Sequence, residues 1–203
     1  MSHKFFDLTF TESVKRAQET DGSRKSYARS EGGKPDFYGL GDAEQDFIEQ
    51  RDSFYMATVN NEGQPYIQFR GGAQGFLKVL DDKTLGFADF RGNMQYISVG
   101  NLHENKKAAL FLMDYPNQTR LKILANVEVV DAKDAPEIIA KLTVPGYKAK
   151  IERAMILNVE AFDWNCPQHI TQRYTIDEIK QMVAPMSEHI TKLEAVIAEL
   201  KSK

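Results

Sequence analysis

The chain has 203 residues, 42% of them hydrophobic and 27% charged, which is the composition of an ordinary globular domain with enough apolar residues for a core. Its formal net charge of −3 gives no overall basic field that would favour nucleic acid or an anionic membrane surface. The single cysteine excludes an internal disulfide, and neither a CxxC motif nor a paired histidine spacing predicts a zinc site.

The opening residues MSHKFFDLTF lack the apolar stretch of about 7–15 residues that a signal peptide needs. No run approaches the roughly 20 apolar residues that cross a bilayer. With one cysteine in addition, the sequence predicts a protein of the reducing cytoplasm with no membrane-embedded part.

Residues 1–41 are predicted to form a helical and irregular arm. Thr9 followed by Glu12 predicts a capping box that opens a short helix. The five glycines of residues 21–41 then favour an irregular connector. A helix is predicted over DAEQDFIEQRD, with Phe47 and Ile48 turned inward.

Residues 42–175 are predicted to form the main domain, in which strand patterns begin at Ser53. SFYMATV and PYIQFR flank the turn NNEGQ, and GFLKVLDDKTLGFADF contains two apolar runs around a charged turn. KKAALFLMD and RLKILANVEVVD form a third pair, and AMILNVEAFDW is one more strand. Short strands joined by tight turns favour an antiparallel barrel or sandwich.

Helices are predicted at two points among the strands and at the C-terminus, in a tail of residues 176–203. NMQYISVGNLHEN spaces Tyr96, Ile97 and Leu102 as one buried helical face, and DAPEIIAKL has a proline near its start. Thr175 with Glu178 predicts a capping box. The tail has a coiled-coil-like seam that would pack on the body, on a sister subunit or on a separate partner helix: Met186, Ile190, Leu193, Ile197 and Leu200.

Residues 162–174, FDWNCPQHITQRY, bring together the only Trp, the only Cys and one of four His. A nucleophilic thiol needs a base within hydrogen-bond reach. His169 is three residues after Cys166, but Pro167 intervenes, so stacking of the two side chains on one helix is not expected. The alternatives are a catalytic pair, a metal clip and the wall of a pocket for a flat aromatic ligand.

Two arginines lie where predicted strands end. Arg70 precedes Gly71 and Gly72, which would permit close approach of a ligand, and its planar guanidinium suits a phosphate. Arg91 lies in a strand-to-helix turn, where free N–H groups of a helix beginning near Met94 would favour an anion. The alternatives are a surface arginine before a flexible loop, and an ordinary turn with Asn93 as N-cap.

Three segments together resemble the FMN-binding split-barrel proteins of the pyridoxamine 5′-phosphate oxidase-like superfamily. They are FYMATVNNEGQPYIQF, FLKVLDDKTLGFADFRGNMQYI and AALFLMDYPNQTRLKILANVEVV, in the order hairpin, hairpin, helix and long strand pair. The resemblance covers about residues 45–175. It implies a mainly β fold with peripheral helices, namely a six-stranded antiparallel split β-barrel, followed here by a C-terminal helix. It also implies a homodimer with FMN at the interface.

The resemblance assigns candidate cofactor-binding residues in four groups. Those near the phosphate and cofactor on the strands are Gln68, Arg70 and Lys78, and those of the strand-to-helix segment are Asp89, Arg91, Asn93 and Gln95. Arg120 would reach the ring from the other subunit. The loop that would flank the isoalloxazine ring and its polar edge contains Trp164, Asn165, Cys166 and Gln168.

The chain also departs from the oxidase pattern. Met94-Gln95 stands where the oxidase has a basic pair, and the oxidase's C-terminal Arg and His segment has no counterpart. We therefore expect an FMN-dependent oxidoreductase for a small organic substrate other than pyridoxamine phosphate, with no catalytic residue assigned. The alternatives are a non-catalytic flavin or haem carrier, and a protein in which the deazaflavin F420 replaces FMN.

Overall fold

The computed structural model describes residues 3–31, 38–164 and 167–202. The described part of the N-terminal arm contains three α-helices and a short 3-10 turn: α1 (His3–Thr9), α2 (Glu12–Thr20), α3 (Arg24–Tyr27) and Ala28–Ser30. The predicted capping box at Thr9 was wrong, because Thr9 ends α1 and its hydroxyl donates to Phe5 O. Thr11 caps α2 instead, by accepting from Val14 N.

Helix α4 (Asp42–Glu49) confirms the helix predicted before the first strand. The Gly41 N–H donates to Glu44 Oε2 at 3.0 Å, which satisfies one free donor at its N-terminus. Ile48 is completely buried and Phe47 packs against the core, as the sequence pattern predicted.

The described residues contain seven strands, each of which overlaps a segment that the apolar pattern predicted: β1 (Ser53–Val59), β2 (Pro65–Gly71), β3 (Lys78–Asp81), β4 (Thr84–Phe90), β5 (Lys107–Asp114), β6 (Thr119–Asp131) and β7 (Ile151–Trp164). β7 begins three residues before the predicted segment, at Ile151. The expected number of six was wrong. That number came from the family resemblance, whereas the patterns in the sequence already contained seven runs.

All the paired strands are antiparallel, in the order β2-β1-β5-β6-β7-β4-β3. β2 and β3 are the two ends of this order, so the backbone hydrogen bonds of the described strands leave the sheet open there. Strand residues alternate between the two faces of the sheet. The inward residues Phe54, Met56, Leu110 and Leu112 pack in one core with Leu121 and Ile123 of β6.

Among the described residues, three further helices follow β4: α5 (Ile97–Glu104), α6 (Pro136–Leu142) and α7 (Ile176–Lys201). Leu102 of α5 is buried as predicted, but Tyr96 and Ile97 are 42% and 40% exposed, so they do not share its buried face. They lie at the start of the helix, beside a cleft. None of the helices in the described part of the chain is both long and apolar enough to span a membrane.

Candidate functional site

A small cleft lies where β2, the end of β4 and the start of α5 meet, close to the first residues of β7. Its volume is about 50 Å³. This volume is well below the roughly 300–1,000 Å³ of pockets that enclose ligands of cofactor size, so the cleft can enclose only a small group. The side chains that line it and carry the argument below are Gln68, Arg70, Asp89, Asn93, Gln95, Tyr96, Ser98 and Arg153.

Asp89 holds two arginines of this cleft in place. Arg70 Nη1 lies 2.5 Å from Asp89 Oδ1, and Arg153 Nε lies 2.9 Å from Asp89 Oδ2. Arg70 belongs to β2 and Asp89 to β4, which lie near opposite ends of the strand order. The ion pair therefore joins the two parts of the split sheet through side chains.

Asp89 is only 3% exposed, so its charge is compensated by these arginines and not by water. Burial works against the charged form of Arg153, but the hydrogen bond and the attraction to Asp89 outweigh it and raise the pKa of Arg153.

Glu152 is a second carboxylate that binds arginine side chains, at the rim of the cleft. It accepts from Arg91 Nε at 2.5 Å, from Tyr96 Oη at 3.1 Å and from Arg153 Nη2 at 2.9 Å. The hydrogen bond from Arg91 is the largest influence and lowers the pKa of Glu152, and Glu152 in turn raises the pKa of Arg91. Three arginines and two carboxylates together leave this region with one net positive charge.

The loop before α5 lines the cleft with residues 92–96. Met94 and Tyr96 have φ values of 60° and 53°, a left-handed conformation that residues other than glycine seldom adopt. Asn93 Oδ1 accepts from Gln95 N at 3.3 Å and so stabilises the turn. The prediction that Asn93 caps a helix beginning near Met94 was wrong, because α5 begins three residues later, after Tyr96.

No side chain of the described residues caps the N-terminus of α5. The first N–H groups of a helix have no partner within the helix, and the helix dipole makes this end favourable for negative charge. Ile97, Ser98 and Val99 of this first turn line the cleft. A phosphate could accept from these groups without further rearrangement of the helix.

Arg70 also has unused hydrogen-bonding capacity at the cleft. Its Nε is buried and has no hydrogen-bond partner among the described residues. Buried polar groups are nearly always hydrogen-bonded, so an acceptor from outside the described residues would satisfy this atom. Beside it, Gln68 accepts from Ser98 Oγ at 2.9 Å, which leaves the amide nitrogen of Gln68 as a further donor. The donors fit an anionic oxygen-rich group.

The fold brings some of the predicted site residues together and separates others. Arg91 lies at the rim and is connected to the cleft through Glu152. The predicted residues that line the cleft itself are Gln68, Arg70, Asp89, Asn93 and Gln95. The predicted residues that do not line it are Lys78, Arg120, Trp164 and Gln168. Asn165 and Cys166 lie outside the described residues, so their predicted roles stay predictions.

The separated residues have other surroundings. Lys78 begins β3, opposite Gly86 of β4, and Gln168 is in an exposed turn. The Trp164 indole N–H donates to Glu44 Oε1 at 2.6 Å, and its ring meets that of Phe47 edge-on at 4.8 Å. In this chain Trp164 therefore holds α4 against the end of β7, and its contact with a flavin ring stays a prediction.

Arg120 is the second residue of β6 and lies on the outward face of the sheet. Its guanidinium lies 5.8 Å from the centre of the Phe111 ring, and its buried Nε has no hydrogen-bond partner within the described part of the chain. This outward position is compatible with the predicted contact across a dimer interface, which itself stays a prediction.

The interpretation of Gly71 and Gly72 as a point of ligand approach was wrong. A Cβ atom at Gly71 would lie 2.9 Å from the Phe69 ring, and one at Gly72 would lie 2.7 Å from the Phe76 ring. Neither glycine lines the cleft. The two glycines are needed because aromatic side chains pack directly on the backbone here.

Arg153 was missed by the sequence reasoning. It lies opposite Asp89 in the β4–β7 pairing, so the register of two distant segments places it in the cleft. A signal was present, since Glu152-Arg153 is a charged pair within a strand that is otherwise largely apolar. Charged residues that enter a core-forming strand need a partner, and such a pair predicts a buried ion network.

These features define an open antiparallel split barrel with a cleft at its strand-to-helix turn that is lined by Arg70 and Arg153. The family model of pyridoxamine 5′-phosphate oxidase matches residues 40–161, which is more than half of the chain and includes every residue of the cleft. The chain belongs to the pyridoxamine 5′-phosphate oxidase family. Among curated proteins, no match was found.

Several solved structures are similar to the chain. A candidate pyridoxamine 5′-phosphate oxidase from Lactobacillus delbrueckii is 24% identical with a TM-score of 0.49, over 63% of this chain and 96% of that one. HupZ from Group A Streptococcus is 17% identical with a TM-score of 0.47, over 66% and 99%. An FMN-binding protein from Syntrophomonas wolfei is 15% identical with a TM-score of 0.42, over 73% and 97%. The family assignment rests on the sequence match and not on these scores.

Proposed function

We propose that this chain binds FMN, with the phosphate in the cleft beside α5, and that it is an oxidoreductase for a small organic substrate. The observation that carries the proposal is the set of donors at the cleft: the buried Arg70 Nε without a partner and the uncapped start of α5. Arg153 adds positive charge from β7. Membership in a family of flavin-binding proteins supports FMN as the source of the phosphate.

Only the phosphate group of FMN is small enough to fit in the cleft. At about 50 Å³ it cannot enclose an isoalloxazine ring, because pockets for ligands of that size are typically about 300–1,000 Å³. The ring would therefore lie outside the cleft, and a second surface is needed to cover it.

A homodimer would provide that surface. The outward face of the sheet carries a row of aromatic side chains, since Tyr55 pairs with Phe69 on one side and with Phe111 on the other. Phe69 is 59% exposed and Ile67 on the same strand is 63% exposed. An exposed apolar patch of this kind is typical of an interaction site. We propose that a second chain covers this face and completes the flavin site with Arg120.

In this proposal the protein binds and orients the cofactor. When bound, the flavin supplies hydride or electron transfer. Arg70, Arg153 and the N–H groups of Ile97 to Val99 hold the phosphate, and Asp89 keeps both arginines in position. Helix α7 follows the barrel where the oxidase has its substrate-binding Arg and His segment, so the proposed substrate is not pyridoxamine phosphate.

The test is the identity and the redox behaviour of the ligand that copurifies. Native and denaturing mass spectrometry should find FMN, and the protein should show two visible flavin absorption bands. NADH or NADPH should bleach these bands, and air or an added acceptor should restore them. Haem or F420 in place of FMN would contradict the cofactor assignment. Bound FMN that no donor and acceptor pair can cycle would contradict the oxidoreductase and favour a carrier.

A further inference from the structure

Helix α7 carries a continuous apolar seam that the flavin site does not explain. Starting at Ile176, large apolar residues occupy the first and fourth position of every heptad for four heptads. With the heptad written abcdefg, the a positions are Ile176, Val183, Ile190 and Ile197, and the d positions are Ile179, Met186, Leu193 and Leu200. A repeat of this length is a specific signal for a coiled coil.

The seam is exposed in the single chain. α7 has no buried residue, and the least exposed of the eight seam residues, Val183, is still 46% exposed. The helix has 26 residues and is therefore about 39 Å long. Of the three alternatives for the tail, packing of the seam on the body of the same chain is the one that the structure does not show. An apolar stripe of this length on a charged helix indicates an interaction surface.

We propose that α7 pairs in parallel with α7 of a second copy of this chain as a two-stranded coiled coil. All four a positions are β-branched, and Leu occupies two of the four d positions. In parallel coiled coils, β-branched residues at a with Leu at d favour two strands. The seam is complementary to itself in this register, because each layer places identical side chains opposite each other.

The charges beside the seam support this occupant. In a parallel pair each g residue faces the e residue of the next heptad in the other helix. His189 then faces Glu194 of the second copy, a pair that creates no like-charge repulsion. The other g positions, Met182 and Val196, are apolar and create no like-charge pair with the second copy.

The ends and the interior of α7 are compatible with such a pair. Thr175 and Glu178 form a capping box, with Glu178 N donating to Thr175 Oγ1 at 3.2 Å and Thr175 N donating to Glu178 Oε2 at 2.7 Å. Pro185 occupies a c position, which points away from the seam in a two-stranded coil. The missing N–H of Pro185 therefore affects the outer face of the helix.

This inference does not depend on flavin binding. Parallel helices are related by a two-fold axis that runs along the coil, and a two-fold dimer of the barrel could share that axis. α7 would then hold the two chains together whether or not a cofactor is present. The pairing can therefore be tested in the full-length protein with and without ligand.

Disulfide trapping tests the proposal in full-length protein that carries Cys166→Ser. Leu193→Cys at d should form a covalent dimer under mild oxidation, because the two Cα atoms must approach within about 7 Å. The matched control is Lys192→Cys at the outward c position, which should be trapped about tenfold less. Equal trapping of both variants, or trapping of neither, would overturn the proposal.

A second pair of variants fixes the direction of the helices. Ile197→Cys is near its own copy only in a parallel pair, and its outward control is Ala198→Cys. Trapping at Leu193→Cys without trapping at Ile197→Cys would contradict the parallel arrangement. Adding Ile190→Asp to Leu193→Cys should reduce the covalent dimer about tenfold, since a buried charge would replace an apolar layer. An unchanged yield would mean that the trapping does not come from this seam.

Discussion

At the scale of single residues, Asp89 has two structural roles that the sequence around it did not predict. It neutralises Arg70 and Arg153, and it joins strands from the two ends of the open sheet. The same carboxylate that fixes the arginines also reduces their net attraction for an anion. The cleft therefore depends on Arg91 and on the backbone N–H groups of α5 for part of its positive potential.

Arg70→Ala and Arg153→Ala should each weaken FMN binding about ten- to a hundredfold while leaving riboflavin binding nearly unchanged. The reason is that a hydrogen bond to a charged group contributes roughly 1.5–3 kcal/mol, and riboflavin has no phosphate. Fluorescence titration of the apo protein measures both affinities. Arg16→Ala, an exposed arginine of α2, is the matched control. Equal weakening for both ligands would place these arginines outside the phosphate site.

Arg91→Ala should have a smaller effect in the same titration. Its side chain is 47% exposed and already bonded to Glu152, so solvent screens its interaction with a phosphate. We expect a loss of a few-fold for FMN. A loss larger than that of Arg70→Ala would show that the rim, and not the interior of the cleft, holds the phosphate.

Asp89→Asn should destabilise the fold by about 3–5 kcal/mol, because it leaves the largely buried Arg70 without its charge partner and leaves Arg153 paired only with Glu152. Urea denaturation followed by circular dichroism measures this change. Asp134→Asn, at an exposed position, is the control and should change stability by less than about 0.5 kcal/mol. Equal stability of the two variants would show that the ion network does not hold the ends of the sheet.

Glu152 should make stability depend on pH in the acidic range. Its folded-state pKa is lowered, chiefly by Arg91, so its contribution is present above the ordinary glutamate pKa and is lost as pH falls through the folded value. Denaturation midpoints of the wild type and of Glu152→Gln should therefore differ most near neutral pH and converge on acidification. A difference that stays constant down to acidic pH would assign the effect to packing instead.

At the scale of secondary structure, local signals predicted the elements that local interactions stabilise. The NNEGQ turn joins β1 and β2, with Asn60 Oδ1 accepting from the Glu62 and Gln64 N–H groups. The capping box at Thr175 opens α7 as predicted. α1 was not predicted, because neither end of its sequence, HKFFDLT, carries a strong capping signal.

The candidate site was predicted only in part for the same reason. Gln68, Arg70 and Asn93 stand near recognisable strand ends and turns, whereas Arg153 reaches the cleft through the pairing of β4 with β7. The predicted start of α5 was too early because Met94 and Tyr96 adopt left-handed backbone conformations. The sequence of this loop contains no signal for those conformations. The register between strands that are distant in the chain and the strained backbone of a loop are the two features that could not be predicted from this single sequence.

Thr175→Ala should loosen the first turn of α7. Removal of an N-cap hydroxyl costs about 1 kcal/mol, which corresponds to roughly fivefold faster hydrogen exchange of the amides in that turn. Thr191→Ala, whose hydroxyl donates to Ser187 O within the helix, is the control and should leave this turn unchanged. Unaltered exchange in Thr175→Ala would mean that other contacts determine where the helix begins.

At the scale of the whole molecule, the proposed flavin site and the proposed pairing of α7 require two different interfaces between the same two chains. The flavin site uses the outward sheet face with Phe69 and Phe111, whereas the coiled coil uses the seam of α7. Disruption of one interface should therefore leave part of the association intact.

Cofactor loss and dissociation should be linked in a chain that lacks the coiled coil. Ile190→Asp should dissociate more readily without FMN than with it, because a ligand bound between two chains stabilises their association by mass action. Sedimentation velocity of the holo and apo forms over a dilution series measures this. A stable monomer that retains one FMN per chain would contradict a shared flavin site.

A crystal structure of the protein with FMN tests the central claim most directly. The account predicts phosphate oxygens within about 3.2 Å of the Arg70 guanidinium and of the first N–H groups of α5, with the flavin ring outside the cleft against the second chain. A phosphate bound elsewhere, with Arg70 still engaged only by Asp89, would contradict it.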